Sequence, residues 1–368
     1  MSDNTTKRML NVYKQNALPT RFLSGFFQSP PKNFYDQMKV EIDIVREDED
    51  VAIAVTDVAT GYRMNSADDF TNKEFMAPAY KEAFPLNSFK LYNRVAGQDP
   101  FADLNFRANV LAQMFDGMSK IERKIRRAIE MQSAEVLQTG TVTLIDSAGK
   151  AIYTIDYSPK ATHFPQVSVS WATSATATPI SDLISICNVI RNDGLDDPTR
   201  AIMGEDAFEN MLNVTTAGQN ILTRLDTRRA DLGAITPLKQ GGTKGGNYRG
   251  TLDLGNFKID IWTYGGRYKH PQTGVKTQYL SPTKVIVMAE PRLDATFGSI
   301  PNIGQLIGGS RLFPELPTRF ANSGGNIDLF TNIWMSPDGD NLFGGVGARP
   351  LMIPTAIDQY GCINTVQA

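Results

Sequence analysis

Two histidines, two cysteines and a few glycine-rich turns are the residues of this sequence whose types point first to chemistry. Imidazole is the side chain that titrates near neutral pH, so proton shuttling or metal ligation would start at His163 or His270. His163 stands in Thr162-His163-Phe164-Pro165 and His270 precedes Pro271. Neither has a second His or Cys at a metal-ligand spacing, so both read as surface or loop residues. Cys187 and Cys362 are far apart, which gives no disulfide framework and no thiolate zinc site. Gly149-Lys150 resembles the end of a phosphate loop. However, Ala151 replaces the hydroxyl residue that would hold magnesium, and Leu144 occupies the first glycine position. Gly241–Gly246 has the glycines of an anion cradle and reads as a surface loop. No Gly-x-Ser-x-Gly turn presents a nucleophile. The expectation is a protein without catalytic residues, metal or cofactor.

Composition narrows the class further. The 368 residues carry 37 basic and 39 acidic side chains, so the formal charge of −2 excludes a strongly basic nucleic-acid-coating chain. A hydrophobic fraction of 41% is enough for a real core, and the length allows two or three domains. The polar start and the short apolar runs, such as Val51–Val55 and Val285–Ala289, predict no signal peptide and no membrane span. A reducing, aqueous compartment is expected.

The elements that would position any function come in a distinctive order. Residues 1–40 are polar with scattered rings, Phe22, Phe26 and Phe27 among them, which such a segment cannot bury within itself. They read as an N-terminal arm. Residues 41–98 begin with the alternating Met38–Ile44 strand and the acidic run Glu47-Asp48-Glu49-Asp50. They continue as short strands and turns bearing Phe70, Phe75, Tyr80 and Phe84, an extended hairpin loop whose aromatics need a surface in this subunit or the next.

Residues 99–177 hold the strongest local pattern. Leu104, Leu111, Met114, Phe115, Met118, Ile121, Ile125, Ile129, Val136 and Leu137 recur at helical spacing, which predicts a helix over about 101–138. Pro100 and Gly140 fit its entry and exit, and Gly117 is a weak point at which it can kink or split. About 38 residues at ~1.5 Å each would make a rod of roughly 57 Å, as long as a compact globule of this size is wide. Lys120, Arg123, Lys124, Arg126 and Arg127 crowd one stretch of it. They fit a solvated face paired with Glu122 and Glu130, or a face toward nucleic acid or toward the acidic run of a neighbour. A hairpin follows, Val142–Ile145 with Lys150–Tyr157, then the Ser168–Thr178 link with Trp171.

Residues 178–345 read as an α+β domain. Ile180, Leu183, Ile184, Cys187 and Ile190 stripe a helix that Gly194 ends, which makes Cys187 a buried small residue. Ala201–Met203, the alternating Phe257, Ile259 and Ile261, and Lys284–Met288 read as strands, while Gly298–Gly347 reads as long irregular loop. Residues 346–368 read as closing strand segments.

Five collinear motifs then carry a resemblance. They are Leu23-Ser24-Gly25-Phe26-Phe27, Met131-Gln132-Ser133-Ala134 with Leu137, Leu225-Asp226-Thr227-Arg228-Arg229, Gly274-Val275-Lys276 with Leu280 and Pro282, and Pro350-Leu351-Met352. Together they resemble the HK97-type major capsid proteins of tailed bacteriophages, in detail the lambda-like capsid protein E family. The resemblance implies an α+β fold with N-terminal arm, extended loop, peripheral domain on a long spine helix, and axial domain. It implies pentamers and hexamers in an icosahedral shell around double-stranded DNA, assembled in the host cytoplasm and ending in the virion. Scaffolding, portal and decoration proteins are the implied partners. An encapsulin-like compartment of the same fold, or another virion component, is the alternative. Arm and loop aromatics and the acidic run would then grip neighbouring subunits, with the basic stretch facing DNA or a neighbour.

Overall fold

The structure is a computed structural model that describes residues 21–35, 39–44, 71–87, 106–145, 151–219, 221, 224–227, 245–300, 328–337 and 339–367. The chain enters through a short 3-10 turn at Ser24–Phe26 and strand β1 (Phe34–Tyr35), then forms β2 (Lys39–Ile44), β3 (Thr71–Met76) and β4 (Tyr80–Asn87). Helix α1 (Phe106–Thr139) follows, then the hairpin β5 (Thr141–Ile145) and β6 (Ala151–Asp156). Next come α2 (Pro179–Gly194), β7 (Arg200–Met203), α3 (Glu205–Leu212), β8 (Leu225–Asp226), β9 (Asn247–Asp253) and β10 (Lys258–Thr263). The chain closes with β11 (Arg267–Lys269), β12 (Lys276–Gln278), β13 (Lys284–Met288), β14 (Asp294–Gly298), β15 (Phe330–Met335), β16 (Asn341–Ala348), β17 (Pro350–Ile353) and β18 (Tyr360–Asn364).

Helix α1 runs unbroken for 34 residues, about 51 Å at the usual rise. Its apolar stripe is buried as the spacing predicts, from Met114 and Met118 through Ile121, Ile125 and Ile129 to Val136 and Leu137. The helix is not split at Gly117. A Cβ there would lie 2.5 Å from the Phe84 ring, so the glycine lets β4 press onto the helix. Gly140 takes a left-handed φ of 67° and its N–H bonds back to the Val136 carbonyl at 2.8 Å, which ends the helix.

Six strands form the axial sheet in the order β18-β13-β7-β10-β9-β8, with β7 and β10 parallel and the other pairs antiparallel. Alternation splits this sheet into two cores. Ala201, Met203, Ile259, Ile261, Val285 and Val287 pack with α2 and α3, while Ile202, Trp262, Ile286 and Met288 join the core around α1. Cys187 lies in the first core, where burial pushes its thiol up to about 12, so it is an inert packing residue. Helix α2 ends at Gly194, as expected, but the left-handed residue that turns the chain is Leu195.

Two expectations need correction. Gly298–Gly347 is not all irregular: β15 and β16 pair and extend to β4 in a three-stranded sheet against α1. Trp171 does lie in the link between hairpin and α2; it is fully buried there, and its indole N–H donates to Asp182 at 2.8 Å. His163, by contrast with its expected place, is not at the surface. It is fully buried, with Nδ1 2.8 Å from the Tyr360 carbonyl oxygen and Nε2 3.1 Å from Asp193, so it ties α2 to the C-terminal strand. His270 does sit at an exposed turn, between β11 and β12.

Candidate assembly surfaces

The residues expected to grip a neighbour divide sharply once placed. Phe22, only 1% exposed, and Phe27 are buried in their own subunit, and Phe26 is half-buried. The Phe22 ring lies 4.9 Å from Tyr264 and 5.6 Å from Phe26, between α1 and the axial sheet. The segment does not bury its rings within itself, as its composition predicts; other elements of the same chain take them. Side chains from α1 and the β10 end build a socket for it in the same chain.

Polar contacts seat this arm root as firmly as the rings do. Glu130 on α1 accepts from the Leu23 N–H at 2.8 Å, and from the Ser24 N–H and hydroxyl at 3.0 and 2.6 Å. Further along, the Gln28 N–H donates to Leu293 and its carbonyl accepts from Ala295. Asn33 donates to Asp294 at 3.1 Å, and β1 pairs parallel with β14, where Phe34 stacks on Phe297.

The loop aromatics behave similarly. Phe75 is buried against Tyr157, Tyr80 accepts a hydrogen bond from Gln132 of α1, and Phe84 rests over Gly117. Phe75 thus packs within its own subunit, while Tyr80 and Phe84 keep a half-exposed edge. Phe70 and Glu47, Asp48, Glu49 and Asp50 lie outside the described residues.

The basic stretch is largely compensated within the subunit. Lys120 pairs with Asp116 at 3.0 Å, Lys124 with Glu82 of β4 at 2.6 Å, and Arg126 with Asp328. Arg123 and Arg127 are half-buried on the same helix. A helix that binds β4 by Gly117 and, two turns further on the same face, by Lys124 is a joint of the subunit as well as a charged ridge. Glu130 is not the solvent-face pairing partner that its spacing implied.

Glu130 is the residue that sequence reasoning missed. Burial raises its pKa, and the hydrogen bonds from Ser24, Leu23 and Tyr264 oppose that rise. A signal was present. Glu130, Ser133, Ala134 and Leu137 follow the i, i+3, i+4, i+7 pattern, so the carboxylate occupies a core position of the helix. Nearby Arg21 has its pKa lowered, first by burial and then by the charge of Arg126.

Exposed apolar groups gather on the three-stranded sheet. Trp334 (40% exposed) stacks on Phe343 at 5.3 Å, and Met335 beside it is 53% exposed. Among the described residues no helix is long and apolar enough to cross a membrane, and no cluster of His, Cys, Asp and Glu has metal-holding geometry.

Comparison with known proteins fits this architecture. No curated protein matches the chain in sequence. Among solved structures, the protein assigned as capsid protein of an E. coli CFT073 prophage superposes with a TM-score of 0.57. Its identity is 13%, over 81% of this chain and 80% of its own. The capsid of Ralstonia phage GP4 gives 0.49 at 10% identity, covering 99% and 91% of the two chains. The encapsulin of the holo-SrpI complex from Synechococcus elongatus PCC 7942 gives 0.44 at 9%, covering 98% and 93%. At such identities a likeness is one of fold, here the HK97-type capsid fold. The model of the family described as phage major capsid protein E matches residues 5–360, nearly the entire sequence. A long spine helix, an axial sheet and this match together establish that the chain belongs to the phage major capsid protein E family.

Proposed function

We propose that this chain closes into pentamers and hexamers that tile an icosahedral head around double-stranded DNA. One observation carries the assignment: the capsid-family match extends from residue 5 to residue 360, so it covers nearly all of the body described above. Physical reasoning supports the finer picture. A shell needs heterologous contacts that close into rings on several edges of one subunit. The exposed Trp334 and Met335 and the half-exposed Tyr80 and Phe84 offer apolar area for them.

A formal charge of −2, with Lys120, Lys124 and Arg126 paired internally, suits a wall that contains DNA without holding it tightly. Arg123, half-buried on the same helix, is the residue of that stretch proposed to meet phosphate or a neighbour. Scaffolding, portal and decoration proteins complete the proposed partners, with assembly in the host cytoplasm and the virion as destination. The role is structural, not enzymatic.

Expression of the full chain followed by sedimentation and negative-stain microscopy tests this. Closed particles, or capsomers that close when a scaffold is added, are expected. A monomer of constant sedimentation coefficient at every concentration, scaffold present or not, overturns it. Particles that retain an enzyme in place of DNA would assign the chain to a cellular compartment instead.

A further inference from the structure

Glu130 holds together three segments that are distant in sequence. Its Oε1 accepts from the Leu23 N–H and the Tyr264 hydroxyl, both at 2.8 Å, and its Oε2 accepts from the Ser24 N–H and hydroxyl. Leu23 and Ser24 open the 3-10 turn of the arm root, Glu130 belongs to the spine helix, and Tyr264 follows the axial strand β10. The first N–H groups of a helical turn have no acceptor within it, so the carboxylate supplies what the backbone lacks. The site is closed to water: Glu130 and Leu23 are fully buried and Phe22 fills the space beside Tyr264.

We propose that Glu130 is a three-way clasp, through which docking of the arm root and closure of the joint between spine helix and axial sheet are a single event. Removing the acceptor leaves two backbone N–H groups and a phenol unsatisfied at once, and a buried donor without a partner does not persist. Opening therefore reaches all three segments together. This coupling lies inside one subunit and does not depend on how subunits assemble.

The clasp responds to pH. Arg21 faces it from the arm and Tyr264 from the axial side, while Arg126, Asp328 and Glu122 act in turn on Arg21. Burial outweighs the hydrogen bonds, so the shut state holds the Glu130 proton to higher pH than an open one with the ordinary value of 4.5. The shut state then binds more protons, and its advantage is complete below 4.5 and falls as pH rises through the raised pKa.

Hydrogen exchange of the full chain, read by mass spectrometry, tests the coupling. Glu130→Gln keeps the size but replaces one acceptor oxygen by a donor, and Tyr264→Phe removes only the axial donor. Glu130→Gln is expected to speed exchange about ten-fold at the Phe26 and Phe27 amides of the arm root and equally at the Tyr264 and Tyr279 amides. Tyr264→Phe is expected to speed the arm root as well, about three-fold, although its own segment is 240 or so residues away in sequence. Should Glu130→Gln not fold, Tyr264→Phe and Ser24→Ala carry the test. Exchange that rises around Tyr264 alone, with residues 22–27 as in the parent chain, overturns the proposal. Corrected for intrinsic rates, arm-root opening in the parent chain rises as pH is raised above 4.5, and Glu130→Gln abolishes that slope. Identical pH profiles for the two chains contradict the clasp as the pH-responsive element.

Discussion

The arm root and the axial α2 layer bury comparable rings and aliphatics by opposite means. In α2, Ile180, Leu183, Ile186, Cys187 and Ile190 form a continuous stripe, and the sheet beneath answers with Ala201, Ile259 and Val287. The arm root has no such stripe, because it holds only a 3-10 turn and a two-residue strand. Phe22 and Leu23 are nevertheless as buried as Leu183, since Glu130, Asp294 and the β14 edge supply acceptors and donors for an irregular backbone. An aperiodic segment can belong fully to the core when another element carries its polar groups.

Truncations test that equivalence most strongly. Phe22→Ala is expected to cost about 3–5 kcal/mol and Leu183→Ala about 2–5 kcal/mol in urea unfolding of dissociated subunits. If Phe22→Ala costs under about 0.5 kcal/mol, the arm root is an external arm and the comparison fails. Gly117→Ala is next, at about 1–3 kcal/mol, because a methyl group there meets the Phe84 ring despite the better helix propensity of alanine. Phe84→Leu in the same chain should recover part of the loss, and full additivity would show that the two residues do not touch.

Smaller effects concern charge. Lys124→Ala or Glu82→Ala should change stability by no more than about 1 kcal/mol, since both side chains are exposed. A loss of several kcal/mol would mean that the ridge, not Gly117, fastens β4. The smallest effect sets one acid of each region against the other. Hydrogen bonding to Lys160 holds the pKa of Asp193 below 3.8, so its contribution is present above 3.8 and lost as pH falls through the lowered value. Glu130 runs the other way, losing its contribution as pH rises above 4.5. A pH series of Lys160→Ala against Glu130→Gln should show deviations at opposite ends, and deviations at the same end would refute the assignment.

Much of the fold was legible because it rests on periodicity. The spine helix, α2, the β5–β6 hairpin and strands β7, β10 and β13 follow apolar spacing that a reader can count along the chain. Strands β15 and β16 were not legible, for Gly344, Gly345 and Gly347 look like loop residues. Yet a Cβ at Gly344 would sit 3.0 Å from Met114, so the missing side chains are what lets the strand lie on α1. His163 and Trp171 escaped because single polar partners, Asp193 and Asp182, decide their burial. The surface readings fared unevenly for the same reason: composition shows that Phe22, Phe27 and Phe75 need a surface and does not say whose.

One measurement reaches the central point, that each subunit buries its own arm root and leaves assembly to other surfaces. A photo-cross-linker at position 26, in particles built from a mixture of isotopically light and heavy chains, reports whose body the arm root touches. Cross-links to the region of Glu130, Trp262 and Tyr264 within chains of one isotope are predicted. A substantial fraction joining light to heavy chains at those residues would contradict it.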